Sequence, residues 1–514
     1  MRRNSESPQA ATACFLAAAA LAFSAINQAF AEPAIVPAAN CETLVGVNFS
    51  GSTIVIEKAE ALPEAPAGTV QVRPPDPATV GVAIPSHCRA QGVIDRRVGG
   101  DGKNYAIGFS ISLPDRWNGR FLFQGGGGLN GAIRPPLGPQ AAGDVPALAR
   151  GFAVVSTDSG HQGAVFDGSF MADQEAALNF AQASIGKVTA AAKAIIARYY
   201  GQPAAHSYFV GCSTGGREAL MSAQRYPLSF DGIVAGAPAW PMMALLARGA
   251  QDQRALSKPG AWIPPAKLAA LTKAALAACG KGKTYIADPT ACKFDPRVIE
   301  CRGKDTNECL TPPQVTAARF IYSTSKEPDG RVLWGQLPGA EGVKGAWDNW
   351  IIGQAPGAKG KAAGEEFARN FYAYMVTGDS NIAPEKVSDA DIAKGRAMFA
   401  AMIEASNADL SNFKARGGKL IQYHGWNDPA IPSRFSTEYF DAVQKQMGDT
   451  RDFYRLFMIP GMLHCGGGDA PTTVDWLPLL EDWVERGKAP DAVIAKSMTG
   501  PDTQTILPRK ETMR

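Results

Sequence analysis

The chain has 514 residues, 46% of them hydrophobic and 19% charged, with 51 Lys and Arg against 48 Asp and Glu, for a formal net charge of +3. Such proportions belong to a globular protein, and the length implies two or three domains or one large domain with an insertion. Basic residues are scattered rather than interleaved with aromatics, which excludes the charge pattern expected of a nucleic-acid or anionic-membrane binder; it says nothing of oligomeric state.

The N-terminus reads as a targeting segment. Arg2 and Arg3 precede an apolar, alanine-rich run over about residues 10–25, and Ala29-Phe30-Ala31 is a small-x-small cleavage signal. This predicts a signal peptide over 1–31 and a secreted or periplasmic chain starting at Glu32. The apolar run is short for a membrane span, and a retained anchor is the alternative. Residues 32–100 are rich in Pro, Val and Gly, with strand-like runs at 53–56 and 69–72. Buried-strand candidates follow at 119–124 (GRFLFQ) and 151–158 (GFAVVSTD). A long alanine-rich helix is expected over 174–200, closed by Gly201. A strand over 206–211 runs into a helix over 214–225, and another strand covers 230–236.

Strands alternating with helices predict an α/β fold with a mainly parallel sheet. The alternation stops near Pro238. Residues 240–410 hold four cysteines and five of the nine tryptophans, and read as an inserted lid domain, too large for a loop. The α/β pattern then resumes, with strands at 418–424 and 453–459 and helices at 433–447 and 474–486. The expected organisation is therefore a core over 32–239, a lid over 240–410 and the rest of the core over 411–514.

The junction at 211–215, Gly-Cys-Ser-Thr-Gly, has the G-x-S-x-G form of a nucleophile elbow. A serine hydroxyl needs a base within reach, and the base needs an orienting acid. Asp428 and His464 each follow a predicted strand, in the order Ser, Asp, His required on an α/β-hydrolase sheet. Of the five histidines, His464 is the expected base and His161 the alternative; His206 starts a strand, and His424 packs beside the acid loop. Asp158 is the competing acid. Ser213 as a plain helix-start serine, and Asp428 as a turn residue before Pro429, are the bland readings. Oxyanion donors are expected from the Thr214 amide and from Gly126 or Gly127 in FQGGGGLNG.

Nine cysteines become eight once Cys14 leaves with the signal, an even count that reads as four disulfides in an exported protein. Proximity favours Cys301–Cys309 and Cys279–Cys292, and Cys41–Cys88 is compatible. Cys212 and Cys465 remain, adjoining Ser213 and His464. A working dyad would bring them together as a bridge beneath the site; two free buried cysteines are the alternative.

GCSTGG, YHGWNDPAIP and PGMLHCGGG together resemble the CS-D-HC arrangement of the tannase/feruloyl esterase family, which includes the hydrolase of mono(2-hydroxyethyl) terephthalate. TDSGH at 157–161 and WNGRFLFQGGGG at 117–128 are similar to its other landmarks. The resemblance implies an α/β-hydrolase core, a large lid, and a serine esterase acting on a small aromatic ester, feruloyl esters first, then gallate and terephthalate esters. It implies Ser213, Asp428 and His464 as triad and Cys212–Cys465 as bridge. One departure stands out. Family lids bind calcium through an acidic loop after a cysteine, whereas residues 279–288 here keep only Asp288 and gain Lys281 and Lys283. Calcium needs several oxygen ligands, so no metal or other cofactor is expected. Within the lid, Trp334, Trp350, Phe371 and Arg369 are the candidate substrate contacts, the last for a carboxylate. A non-catalytic binding protein on the same scaffold, or an amidase, are the competing readings.

Overall fold

The computed structural model describes Met1 and residues 34–354 and 361–510; apart from Met1, the expected signal peptide lies outside the described residues. Among the described residues there are thirteen strands: β1 (Val55–Leu62), β2 (His87–Val98), β3 (Asn104–Pro114), β4 (Arg120–Gln124), β5 (Ala153–Thr157), β6 (His206–Cys212), β7 (Gly232–Gly236), β8 (Ser325–Lys326), β9 (Val332–Leu333), β10 (Lys419–Gly425), β11 (Tyr454–Ile459), β12 (Val493–Lys496) and β13 (Thr503–Ile506). Nine form one sheet in the order β1-β2-β3-β5-β4-β6-β7-β10-β11. From β5 to β11 all pairs are parallel, and β1, β2 and β3 add an antiparallel flank. This is an α/β-hydrolase architecture.

The central strands are short apolar runs because they are covered on both faces. In β4, Phe121 and Phe123 face one core cluster while Leu122 faces the other, the period-two alternation of a strand. The first face is covered by α1 (Gln174–Leu178), α2 (Ser184–Tyr200) and α3 (Thr214–Arg225). There Phe123 stacks on Phe209 at 4.8 Å, and Phe230 meets Phe209 edge-on at 5.4 Å. Burying each such ring contributes about 1.5–3 kcal/mol.

Residues 237–418 leave the sheet after β7 and return at β10. They carry α4 (Met242–Leu256), α5 (Pro265–Cys279), α6 (Pro312–Tyr322), α7 (Trp347–Trp350), α8 (Ala363–Phe371), α9 (Asp389–Ile403) and α10 (Ser411–Ala415). Part of this insertion has its own core, around Leu271, Ile321, Trp347 and Ile352, stapled by Cys279–Cys292 and Cys301–Cys309. Its α4, α8 and α9 instead share the main core with the sheet. The core then closes with α11 (Arg434–Met447) and α12 (Trp476–Arg486), the latter covering the second sheet face.

Elements differ from expectation in three places. β3 forms a long antiparallel hairpin with β2, where the sequence reading ended the β region at 100. Residues 69–72 make no strand, only an isolated bridge from Gln71 to Thr79. The helix over 174–200 is interrupted by a π turn, Asn179–Ala183. That turn frees carbonyls for Arg217, which is fully buried. Its guanidinium donates to the Ala181 carbonyl at 2.5 Å, to Phe180 at 3.0 Å and to Ile403 in α9 at 3.3 Å, and lies over the Phe180 ring. Burial lowers its pKa to about 10 against the opposing charge of Glu218, so it stays protonated at neutral pH.

Arg217 thus joins the nucleophile helix, the π turn and the insertion. Arg217→Met keeps the bulk but leaves buried carbonyls without donors, each worth about 1–3 kcal/mol. The expected outcome is a loss of about 3 kcal/mol or more in urea unfolding; a change below about 1 kcal/mol would show that the π turn relaxes to an ordinary helix.

Candidate active site

β6 ends at Cys212 and α3 begins at Thr214, so the whole strand-to-helix turn falls on Ser213. Its backbone sits at φ 65°, ψ −123°, a conformation that costs an L-residue on the order of 1–3 kcal/mol. The neighbours hold it there. The Ser213 N–H donates to Gly236 at 3.0 Å, and its carbonyl accepts from Ala239 and Arg217, both at 3.0 Å. The flanking glycines are steric requirements. A Cβ on Gly211 would lie 2.4 Å from the Gly215 carbonyl oxygen, and one on Gly215 would lie 2.7 Å from that of Gly126. The G-x-S-x-G pattern is therefore a packing code that lets β6, α3 and the glycine loop after β4 touch.

Asp428 follows β10 and His464 follows β11. Asp428 Oδ2 accepts from His464 Nδ1 at 2.7 Å and from His424 Nε2 at 3.0 Å, while Oδ1 accepts from the amides of Ala430 and Ile431 at 2.8 and 2.9 Å. Burial alone would raise its pKa, but the positive charge available on His464 and the hydrogen bonds from both histidines prevail, and the carboxyl stays ionised, well below the usual range. An ionised carboxylate only accepts, so His464 carries its proton on Nδ1 and keeps the Nε2 lone pair for the cleft. His424 had been read as packing beside this loop; it also holds Asp428, with its Nδ1 on Ser436 at 2.7 Å.

The bridge Cys212–Cys465 is present, with Cα atoms 5.9 Å apart, as are Cys41–Cys88 and the two insertion bridges. It pins the residue before Ser213 to the residue after His464. Both side chains border one cleft of about 890 Å³.

The glycine loop after β4 is set from below by a buried polar group. The Gly126 N–H donates to Glu218 at 2.9 Å, and Gly127 N–H to Asn130 Oδ1 at 2.7 Å. Asn130 Nδ2 donates in turn to Glu218 at 2.7 Å and to Ser159. Both amides expected to face an oxyanion are thus committed to side chains of the protein. Gly128, at φ 60°, lines the cleft, and its carbonyl accepts from the Thr214 hydroxyl. Among the described residues no acceptor takes the Gly128 N–H, and the Thr214 N–H, first in its helix, has no intrahelical partner. Glu218 and Asn130 were missed in the sequence. The signal was Arg217-Glu218, two charges in a helix that is apolar and buried on both sides of them.

One wall of the cleft is aromatic. Phe166 packs on Phe367 at 4.7 Å, Phe367 stacks with Trp350 at 6.3 Å, and Trp350 meets the His464 ring edge-on at 5.0 Å. Of the four expected insertion contacts, Trp350 alone lines the cleft. Phe371 is buried in the main core. Trp334 lies under the Arg434 guanidinium and donates to Glu438 at 2.6 Å. Arg369 is spent on Glu366 at 2.8 Å. Phe367, one turn from Phe371 on α8, takes the place expected of it.

The loop between Cys279 and Cys292 does not suit calcium. Its Asp288 accepts from the Thr290 amide at 3.0 Å and the Thr290 hydroxyl at 2.5 Å, and Lys283 lies over Tyr285. One carboxylate engaged in its own turn beside two lysines makes a poor divalent site. The cluster Cys301, Asp305 and Cys309 is a disulfide with a carboxylate paired to Lys267. Asp158 and His161, the competing acid and base, border a different cavity from Ser213. There the His161 ring stacks on Phe170 and burial lowers its pKa to about 4.

The profile described as "Tannase and feruloyl esterase" matches residues 88–510. Among curated proteins, mono(2-hydroxyethyl) terephthalate hydrolase of Piscinibacter sakaiensis is 33% identical over 487 residues, covering 82% of this chain and 80% of that protein. A probable feruloyl esterase of Arthroderma benhamiae is 30% identical over 509 residues, covering 93% and 88%. Among solved structures, feruloyl esterase B from Aspergillus oryzae superposes with a TM-score of 0.76 at 26% identity, covering 90% of this chain and 93% of that one.

Asp158 supplies a pH test of the fold beneath the site. Burial pushes its carboxyl up to about 7, against hydrogen bonds from the Gly160 and Gly108 amides; an unfolded Asp titrates near about 3.9. A carboxyl raised in the folded state contributes fully below about pH 4, and that contribution is lost as pH rises through about 7. Asp158→Asn removes the titration. Wild-type stability relative to this variant is expected to fall between pH 5 and pH 8 in urea midpoints; a constant difference would mean that Asp158 is ionised throughout.

Proposed function

The chain belongs to the tannase and feruloyl esterase family and is a carboxylic ester hydrolase, and on that premise we propose that it is an exported serine esterase acting on esters of aromatic acids, feruloyl-type esters first. The observation that carries the mechanism is the 2.7 Å contact from His464 to Asp428, with the Cys212–Cys465 bridge holding that histidine at the cleft of Ser213. Ser213 Oγ attacks the ester carbonyl as His464 Nε2 takes its proton. The negative charge on the tetrahedral oxygen is met by the amides of Thr214 and, in place of Gly126 and Gly127, Gly128. His464 then protonates the departing alcohol, leaving an acyl-enzyme that water attacks through the same base. Asp428 stays ionised and stabilises the imidazolium; His424 and the Ala430 and Ile431 amides keep it in place.

Aromatic substrates follow from the row Phe166, Phe367 and Trp350, which offers ring faces beside the base. The names of the relatives, a terephthalate monoester hydrolase and a feruloyl esterase, support the same substrate class. Export is supported by four disulfides, which persist in oxidising compartments, and by the leader-like N-terminus. Among the described residues no helix is long and apolar enough to cross a membrane.

Hydrolysis of methyl ferulate, methyl gallate and mono(2-hydroxyethyl) terephthalate is expected from the mature chain, with Ser213→Ala reducing kcat by about a thousandfold or more. Turnover that survives in Ser213→Ala would overturn the nucleophile. The metal-free reading is tested separately. Exhaustive EDTA treatment is expected to leave both the ester rate and the melting temperature unchanged; a drop in melting temperature restored by calcium would reverse it.

A further inference from the structure

We infer that the cleft contains a subsite for a substrate anion, formed by Arg73 and Arg134, so that the preferred ester carries a free carboxylate besides the scissile bond. This rests on the esterase reading above and narrows its substrate.

The observations are these. Arg73, Arg134 and Lys344 all line the cleft that holds Ser213 and His464, and among the described residues no Asp or Glu lines it. Several other partly buried arginines pair with carboxylates: Arg120 with Glu485, Arg97 with Asp173, and Arg396 with Glu327 and Glu404; Arg434, which does not, lies over the Trp334 ring. Among the described residues, no ion pair or side-chain hydrogen bond is made by Arg73 or Arg134. Arg134 is nonetheless half-buried, and its pKa is lowered first by that burial and then by repulsion from Arg73. The half-buried Arg134 guanidinium thus faces the like charge of the exposed Arg73, with no counter-ion among the described residues.

Such an arrangement costs stability. Burying an unpaired charge is unfavourable, and a neighbouring charge of the same sign adds to it. A carboxylate between the two forks removes both penalties through charge-assisted hydrogen bonds. Elsewhere on the cleft wall, Trp350 and Phe367 provide uncharged ring contacts. Aromatic row and arginine pair therefore read two different parts of one ligand. The carboxylate can belong to the acid half, as in a monoester of an aromatic diacid, or to the alcohol half, as in an aromatic ester of a hydroxy acid. A cationic cleft with low-dielectric walls also attracts an anionic ester from a distance, an effect that salt weakens.

The test uses two matched pairs, each a carboxylate and its carboxamide. For the acid half these are mono(2-hydroxyethyl) terephthalate and 2-hydroxyethyl 4-carbamoylbenzoate; for the alcohol half, 3-(feruloyloxy)propanoate and its amide. The carboxylate of at least one pair is expected to be preferred by about tenfold in kcat/KM, mainly through KM, with the preference shrinking as salt rises. In Arg73→Gln, and separately in Arg134→Gln, that ratio is expected to fall toward one. Arg73 is exposed, so its variant keeps the test available if Arg134→Gln does not fold. Which pair responds identifies the half that carries the anion. Ratios near one for both pairs in the wild type, or a ratio that survives in both variants, would overturn the subsite. The same contrast is measured by calorimetric binding to Ser213→Ala. If no ester is turned over, the esterase reading fails, while the binding contrast still decides the subsite.

Discussion

The molecule is organised around a distance that the sheet cannot close by itself. The strands that deliver Ser213 and His464, β6 and β11, are separated by β7 and β10. Three inter-strand steps of about 4.8 Å place them roughly 14 Å apart. The Cα atoms of Cys212 and Cys465 are nevertheless 5.9 Å apart. The segment after β11 must therefore run back across the ends of two strands, and the bridge holds it there. Both ends of the crossing are strained: Ser213 has φ 65° and Cys465 φ 63°. Two such conformations cost on the order of 2–6 kcal/mol together. Closing a 253-residue loop offsets this by restricting the unfolded chain, by on the order of 5 kcal/mol in the chain-entropy account. The cysteine beside the nucleophile is thus consumed by the architecture and offers no competing thiolate.

A second constraint lies below the first. The glycine loop after β4 has few side chains of its own to fix it, and Glu218 and Asn130 do so from beneath. Glu218 is carried on the same helix that begins at Ser213. Ser213, the proposed nucleophile, and the glycine loop are therefore positioned by one helix, and Arg217 ties that helix to the π turn and to α9. Burial raises the Glu218 pKa, with the Arg217 charge opposing. The two buried charges support each other even though each contacts different partners.

Much of this was legible in the sequence, and the part that was not has a common cause. Buried parallel strands announce themselves as short apolar runs, so β4, β5, β6, β7, β10 and β11 were read close to their observed bounds. The strand ends that bring Ser213, Asp428 and His464 together were legible for the same reason. What failed depended on partners distant in the chain. Which of the four glycine amides are already committed is decided by Asn130 and by Glu218, the latter more than ninety residues away from Gly126 along the chain. The π turn's carbonyls are taken by Arg217, more than thirty residues on. Phe371 on α8 was expected to contact substrate, but the side that Phe367 and Phe371 face depends on where the helix docks. Arg369 was offered as an anion reader without knowledge that Glu366, three residues earlier, already held it. Arg73 and Arg134, which do reach the cleft, lie in loops with no pattern to mark them.

Trp350 joins the two halves of the site. It is contributed by the insertion, yet its ring packs edge-on against His464. Its other neighbour in the row, Phe367, belongs to the wall available to an aromatic ligand. A ring bound along that wall therefore touches the residue that limits the freedom of the base. On the proposed mechanism, one indole links substrate selection to base orientation. A change in the insertion that shifts Trp350 acts on the proton-transfer geometry as well as on the pocket's shape, since a misplacement of about 1 Å at such a contact suffices to slow a reaction markedly. The insertion thus contributes both a wall of the cleft and a ring neighbour of His464.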